Sequence, residues 1–326
     1  MVTTDENTTA DRAVLELAAL GVPVIRLDLA DFPDDLHLGA TFDGDRWTGA
    51  LVTRGRTVRL EEIRAVLWWH PGRPGVPHGD LSEAEIRWIA QETTAGLAGV
   101  LAALDCLHVN HPHATQHAQV KATVLATAAR AGLRVPPTWI GNHQPSAAAF
   151  TAHAPDGAVC KSLVSPEITS GQTHRTFFTR RVDSRGLTGA AGSLSGMTHQ
   201  FQHAVVKEFE VRLVVVGDEL FAARIDAHSR AARADFRADY EALTYSLVAV
   251  PDSVRTGVTA LMRACGLLYA ALDLLVDDEG QWHLIDVNPA GQYDWLQREL
   301  PELTISAALA RLLAEGDHLR TRPQPH

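Results

Sequence analysis

The chain has 326 residues, of which 46% are hydrophobic and 21% charged, the proportions of a globular protein rather than a disordered or collagen-like one. Twenty-nine Lys and Arg stand against 39 Asp and Glu, a formal net charge of −10. The protein as a whole therefore repels nucleic acid and anionic membrane surfaces, and only a local basic cleft could act against that field.

In chain order, DRAVLELAAL (11–20) has helical periodicity and ends at Gly21. VPVIRLDL then predicts a strand, the opening of a βα-type unit. Residues 38–60 alternate around Asp43-Gly44 and Arg54-Gly55, as a β-meander does. IRAVLWW is a short apolar strand that breaks into a Pro/Gly loop. A long helix spans Ser82 to Leu104, with Ser82 and Glu85 at capping-box spacing.

A second unit begins near Asn110. The loop NHPHAT precedes a helix whose apolar face includes Val120, Val124 and Ala128 and which Gly132 closes. AVCKSLV (158–164) is a strand, and GLTGAAGSLSG (186–196) is a flexible loop, read either as a lid or as a plain linker. HAVVKEFEVRLVVVGDELFAARID gives two strands around Gly217-Asp218, residues 268–287 a hairpin, and residues 304–315 a closing helix. Two or three domains fit this length.

Cys106, Cys160 and Cys265 are odd in number and lack metal-type spacing, so buried thiols are expected. The 16 histidines scatter without the i, i+4 pairs or cysteine partners of a zinc site. No apolar run is long enough to cross a membrane, and MVTTDENTTADR is acidic where a secretory signal is basic, so a cytoplasmic protein is expected.

The chemistry-bearing pattern is the last hairpin. With Asp277-Asp278-Glu279-Gly280 as its loop, Asp273 faces Leu284 and Ala271 faces Asp286. Asp273, Asp286 and Asn288 then share one side, and the two acids are diagonal neighbours. Carboxylates in strands this apolar repel one another and resist desolvation without a cation, and Mg²⁺ takes such oxygens together with phosphates. Acids that simply face water remain the alternative.

The segments NHPHATQHAQVKATVLATAARAGLRVPPTW, AVCKSL, FQHAVVKEFEVRLVVVGDELFAARID, ADFR and ALDLLVDDEGQWHLIDVNPAGQYDW, in that order, resemble the ATP-grasp enzymes. Within them they are most similar to the graspetide synthetases, which cyclise ribosomally made peptides through side-chain esters or amides. GVPVIRLDLADFP and AVLWWHPGRP resemble that group's preceding domain. The resemblance implies a mixed α+β and α/β chain: a smaller α/β pre-ATP-grasp domain over 1–109, followed by a central lobe over 110–200 and a C-terminal lobe over 201–326, which clasp ATP between them.

Carried over by position, Lys121 and Lys161 resemble the two lysines that hold the nucleotide phosphates, although a solvated helix-face lysine is the ordinary fate of Lys121. Gln202, His203 and Val205 lie in the stretch that resembles the hinge whose backbone reads adenine, where side-chain identity matters little. Glu210 resembles the acid set against the ribose. Arg212, on the same strand face, resembles the arginine that steadies the transferred phosphoryl group, with a plain cross-strand surface pair as the alternative. In ADFR, Arg237 would hold an acceptor carboxylate and Asp235 would take the proton of the attacking group, with Phe236 standing where the family has Trp. Asp286 stands where Glu is more usual, one methylene shorter in reach.

The resemblance thus implies ATP and Mg²⁺, and a precursor peptide with leader and core as partner. An Asp or Glu side chain of the precursor would be activated as an acyl-phosphate for attack by its own Thr, Ser or Lys. The alternatives are a ligase adding a free amino acid to a peptide or small acid, and a nucleotide-sensing scaffold without turnover. Nucleic acid and membrane are not expected partners, and a homodimer or higher homo-oligomer stays open. The leader would dock on the meander and loops before Asn110 or on the strands after Arg212.

Overall fold

The computed structural model describes residues 1–76, 79–164, 167–170, 173–177, 179–182, 194–230, 232 and 236–316. The chain divides into two compact units, Met1–Thr115 with Gly266–Tyr269 and Ala290–His326, and Gln116–Cys265 with Ala270–Pro289.

The first unit contains β1 (Val2–Thr3), α1 (Thr8–Ala19), the meander β2 (Leu36–Phe42), β3 (Trp47–Thr53) and β4 (Arg56–Arg59), then β5 (Ala65–Trp69), α2 (Glu83–Thr93), α3 (Gly99–Ala102) and β6 (Leu107–Val109). A π-turn over Thr94–Ala98 joins α2 to α3, so the expected long helix is one continuous helical stretch. Ser82 and Glu85 close its N-terminus as a capping box. Strand β5 lies between β1 and β6 and runs parallel to both. Val2, Leu36, Leu51, Leu60, Val66, Trp68, Leu97 and Leu101 form its core cluster.

The strand expected over VPVIRLDL does not form. Val2–Thr3 pair with Trp68–Trp69 on that edge of β5, and residues 22–28 touch the sheet through the single bridge Val2–Leu27. Pro23, which has no N–H to offer, lies in this segment.

Along the chain, α4 (Pro112–Gln119) leads to α5 (Lys121–Arg130), β7 (Thr138–Gly141), α6 (Gln144–Ala152), β8 (Ala158–Lys161), β9 (Glu167–Ser170), β10 (Thr173–Thr176) and β11 (Arg180–Val182). Then come β12 (His199–His203), β13 (Lys207–Val216), β14 (Glu219–Ala227), β15 (Leu243–Leu247), α7 (Asp252–Cys265), β16 (Tyr269–Asp277) and β17 (Trp282–Asn288). The second unit holds a four-stranded antiparallel sheet, β11-β8-β12-β7, a two-stranded ribbon of β9 and β10, and a five-stranded sheet, β15-β14-β13-β16-β17. Residues Val211–Val216 and Tyr269–Leu274 are continuously buried, so the central strands of the larger sheet are covered on both faces. Helix α7 buries Val254, Val258, Leu261, Met262 and Cys265 at helical spacing and packs against α5. Each such aliphatic side chain contributes roughly 1.5–3 kcal/mol.

Helix α5 departs from the expected single helix. Proline at 112 starts α4, and Val120 breaks the path with extended backbone, φ −77° and ψ 97°, so α5 begins at Lys121 and Val120 is half exposed rather than part of the apolar face. Val124 and Ala128 are fully buried as expected. Of the cysteines, Cys265 is buried, whereas Cys106 and Cys160 are only partly so.

Candidate functional site: a hairpin of paired charges

The hairpin β16–β17 positions the two acids. The register pairs Val276 with Trp282, Leu274 with Leu284, Asp273 with Asp286 and Ala271 with Asn288, with an irregularity next to Asp273. Asp273 and Asp286 are therefore directly opposite, not diagonal. Half of the shift comes from a loop one residue longer than the expected four, and half from a bulge: the Asp277 carboxylate accepts from the N–H groups of Glu279 at 3.1 Å and Gln281 at 2.7 Å, and Asp277 N–H donates to Gln281 O. Asp277 also meets His283 Nε2 at 2.8 Å, which, with these backbone donors, holds its pKa below the ordinary carboxylate value. Ile285 becomes the unpaired residue of the strand, and the bulge returns Asp286 and Asn288 to the face of Asp273.

Each acid has a cation. Arg212, on β13 beside β16, donates from Nη1 to Asp273 Oδ1 at 2.8 Å, with both side chains 7% exposed. Lys121, the first residue of α5, pairs with Asp286 Oδ1. The plain surface pair and the solvated lysine of the sequence reading are both displaced by these contacts.

Lys161 ends β8 and donates to Gln202 Oε1 at 3.0 Å and to the Ile285 carbonyl at 3.5 Å, one residue before Asp286. Lys121, Lys161 and Arg212 thus converge on one hairpin through its bulge and its two acids. Glu210, two residues before Arg212 on the same buried face, accepts from Lys207 Nζ at 2.6 Å.

The hinge stretch lies between β12 and β13. His203 N–H donates to Pro137 O and Ala204 N–H to Gly157 O, both at 2.9 Å. The N–H groups of His203 and Ala204 are thus already committed within the protein. Val205, Val206, Lys207, Glu210 and Ile225 line a cleft of about 380 Å³. Gln202, in the same stretch, is 1% exposed and bonded to Lys161.

Asp235 lies outside the described residues, as do residues 186–193 of the expected lid. Arg237 is in a single 3-10 turn, Phe236–Ala238. Phe236 is buried and its ring meets Tyr240 edge-on.

Two carboxylates and an amide oxygen on one strand face form a donor set that fits Mg²⁺, which takes few protein oxygens and shares the rest with phosphates and water. Asp286 is one-third exposed and Asn288 exposed, so the face can be reached by an ion. Sequence reasoning missed Thr138, Lys207 and the Ile285 carbonyl, whose roles arise only from strand pairing. Among the described residues, no group of three or more His, Cys, Asp or Glu side chains gathers as a metal site. No helix there is long and apolar enough to cross a membrane.

The sequence profile of the MvdD pre-ATP grasp domain matches residues 1–116. A RiPP-associated ATP-grasp ligase from Chryseobacterium gregarium, solved in complex with ADP and a leader and core peptide, is similar with 26% identity and TM-score 0.86, covering 99% of this chain and 96% of that one. Macrocyclase MdnB from Microcystis aeruginosa is 26% identical with TM-score 0.79, covering 96% and 97%. Macrocyclase MdnC of the same organism, bound with precursor peptide MdnA, shares the fold at 24% identity and TM-score 0.83, covering 96% and 98%. No curated protein sequence matches the chain. The fold is that of the ATP-grasp ligases, with a pre-ATP-grasp domain at its N-terminus. Within that class, the solved structures it resembles at 26% identity are a RiPP-associated ATP-grasp ligase and a macrocyclase.

Proposed function

We propose that the chain is an ATP-dependent macrocyclase that joins side chains of one ribosomally made precursor peptide. The observation that carries this reading is the convergence of Lys121, Lys161 and Arg212 on the hairpin bearing Asp273 and Asp286. Three cations at two carboxylates leave a net positive site able to receive a polyphosphate.

In this reading Lys121 and Lys161 bind the nucleotide phosphates, backbone at Val205 meets the adenine, and Glu210 meets the ribose after exchanging Lys207 for it. Mg²⁺, held by Asp273, Asp286 and Asn288, would neutralise charge on the transferring phosphate oxygens. A peptide Asp or Glu carboxylate attacks the γ-phosphorus and ADP leaves, giving an acyl-phosphate. A Thr or Ser hydroxyl, or a Lys amine, of the same peptide then attacks the acyl carbon and phosphate departs. Asp235 takes the nucleophile's proton, Arg237 holds the peptide carboxylate in its guanidinium fork, and Arg212 stabilises the phosphoryl charge. Activation is required because a carboxylate is a poor electrophile, and an attacking group already held nearby gains from proximity.

The relatives solved with leader, core or precursor peptides support the same partner class for this chain. We assign residues 1–109, 110–200 and 201–326 as pre-ATP-grasp domain, central lobe and C-terminal lobe, and the cytoplasm as the place of action. The test is ADP release in the presence of ATP, Mg²⁺ and precursor. Release that depends on the precursor supports the reading, and a chain that never turns over ATP is the scaffold instead.

A further inference from the structure

We propose that Gln202 is a positioning residue for Lys161, setting the lysine's place at the nucleotide phosphates through a directed chain of hydrogen bonds. This rests on the reading of Lys161 as a phosphate-binding lysine. The register places Gln202 opposite Thr138 of β7 on one side and Val159 of β8 on the other, with Lys161 two residues further along β8. Residues two apart on a strand share a face, so Thr138, Gln202 and Lys161 lie side by side on one face of the sheet.

Their polarity is fixed by counting protons. Thr138 Oγ1 has one proton and donates it to Pro136 O at 2.9 Å. Towards Gln202 the hydroxyl can then only accept, so the amide presents Nε2 to it, at 3.0 Å. The amide oxygen is left facing Lys161 Nζ, also at 3.0 Å. Rotation of the amide by half a turn would set its NH₂ group against the ammonium and its oxygen against a hydroxyl already committed as donor elsewhere. Thr138 therefore selects the amide orientation, and the amide selects the position of the ammonium. Gln200 shares that face and lies directly opposite Lys161, yet its buried Oε1 has no partner among the described residues. The lysine is aimed by Gln202 in particular.

The chemistry of the partner matters as much as its place. An amide oxygen holds the ammonium without cancelling its charge, whereas a carboxylate would neutralise it before a phosphate arrived. A second contact of Lys161, the Ile285 carbonyl, is also uncharged and adjoins Asp286. These two contacts set the ammonium at a fixed point beside the acids of the hairpin.

The experiment measures ADP and adenosine affinities by calorimetry for the full chain and for Gln202→Met, Gln202→Glu, Lys161→Met and the Lys161→Met/Gln202→Met double variant. Loss of one charge-assisted hydrogen bond predicts about a tenfold weaker ADP affinity in Gln202→Met. Adenosine, which has no phosphate, should bind within about twofold of the parent chain. Gln202→Glu keeps the shape of the side chain and should show the same phosphate-confined loss. The double variant should bind ADP no more weakly than Lys161→Met alone, because Gln202 acts through the lysine. Equal losses for adenosine and ADP, or additive losses in the double variant, would overturn the proposal in favour of a purely structural hinge residue. A parent chain that binds neither adenosine nor ADP would overturn the nucleotide reading itself, and this proposal with it.

Discussion

The buried pair of Arg212 and Asp273 allows chemistry and stability to be separated by substitution. Its atoms are 2.8 Å apart, its side chains are each 7% exposed, and Asp286 stands directly across from Asp273. Arg212→Met leaves the Asp273 carboxylate in the sheet without its guanidinium. Removing one partner of a buried pair costs about 3–5 kcal/mol, a large part of the roughly 5–15 kcal/mol that holds a domain together. Combining Arg212→Met with Asp273→Leu removes both charges and refills the space with apolar groups, a replacement that is often neutral or stabilising. Urea unfolding followed by tryptophan fluorescence reads stability, and precursor-dependent ADP release reads chemistry. The single variant should unfold at lower urea with an unchanged slope, and the double variant should recover the parental midpoint. Both should release no ADP. Parental stability in the single variant would refute the energetic argument, and parental turnover in the double variant would refute the placement of these residues in the site.

Asp286→Asn removes a charge but little volume at a side chain one-third exposed, so it should abolish ADP release while shifting stability by less than about 1 kcal/mol; wild-type turnover would exclude the acid from the site. Lys161→Ala should weaken ADP binding measured by calorimetry, whereas Arg237→Ala should leave it intact and stop cyclisation, and equal losses of nucleotide affinity would put Arg237 in the wrong pocket. His108 accepts the Trp68 indole N–H at 3.1 Å through Nδ1 and meets the Leu104 carbonyl at 3.0 Å through Nε2, and burial holds its pKa below the ordinary histidine value. The unfolded chain therefore takes up a proton as pH falls below about 6.5 while the folded chain does not, so stability drops with falling pH until the lower folded-state value is passed. In urea titrations His108→Gln should flatten that acid limb relative to the parent chain, and identical limbs would contradict the assignment.

The parts of the fold written in local pattern were readable: the capping box at Ser82, the meander after Leu36, the strands around Gly217-Asp218, and the terminal hairpin. What escaped depends on partners distant in the chain. Residues 22–28 have strand composition, but they meet the sheet only where Leu27 bridges to Val2 beside β5. The hairpin register turned on the Asp277 carboxylate capping two backbone amides, which lengthened the loop by one residue, and on the bulge at Ile285, which together moved Asp273 from a diagonal position to one facing Asp286. The break at Val120 sets Lys121 at the start of a helix, where it meets an acid 165 residues away. Gln202 could be placed near the hinge from its segment, but its bond to Lys161 follows only from the pairing of β12 with β8. The candidate residues were legible as types, and their pairings were not.

The central claim is that ATP is spent on joining two side chains of one peptide. The direct measurement is the mass of a full-length precursor, leader and core together, after incubation with the chain, ATP and Mg²⁺, with ADP counted in the same reaction. The account predicts the loss of one water per ring and one ADP per water lost. A precursor that gains the mass of an amino acid, or ADP release with no change in peptide mass, would contradict it.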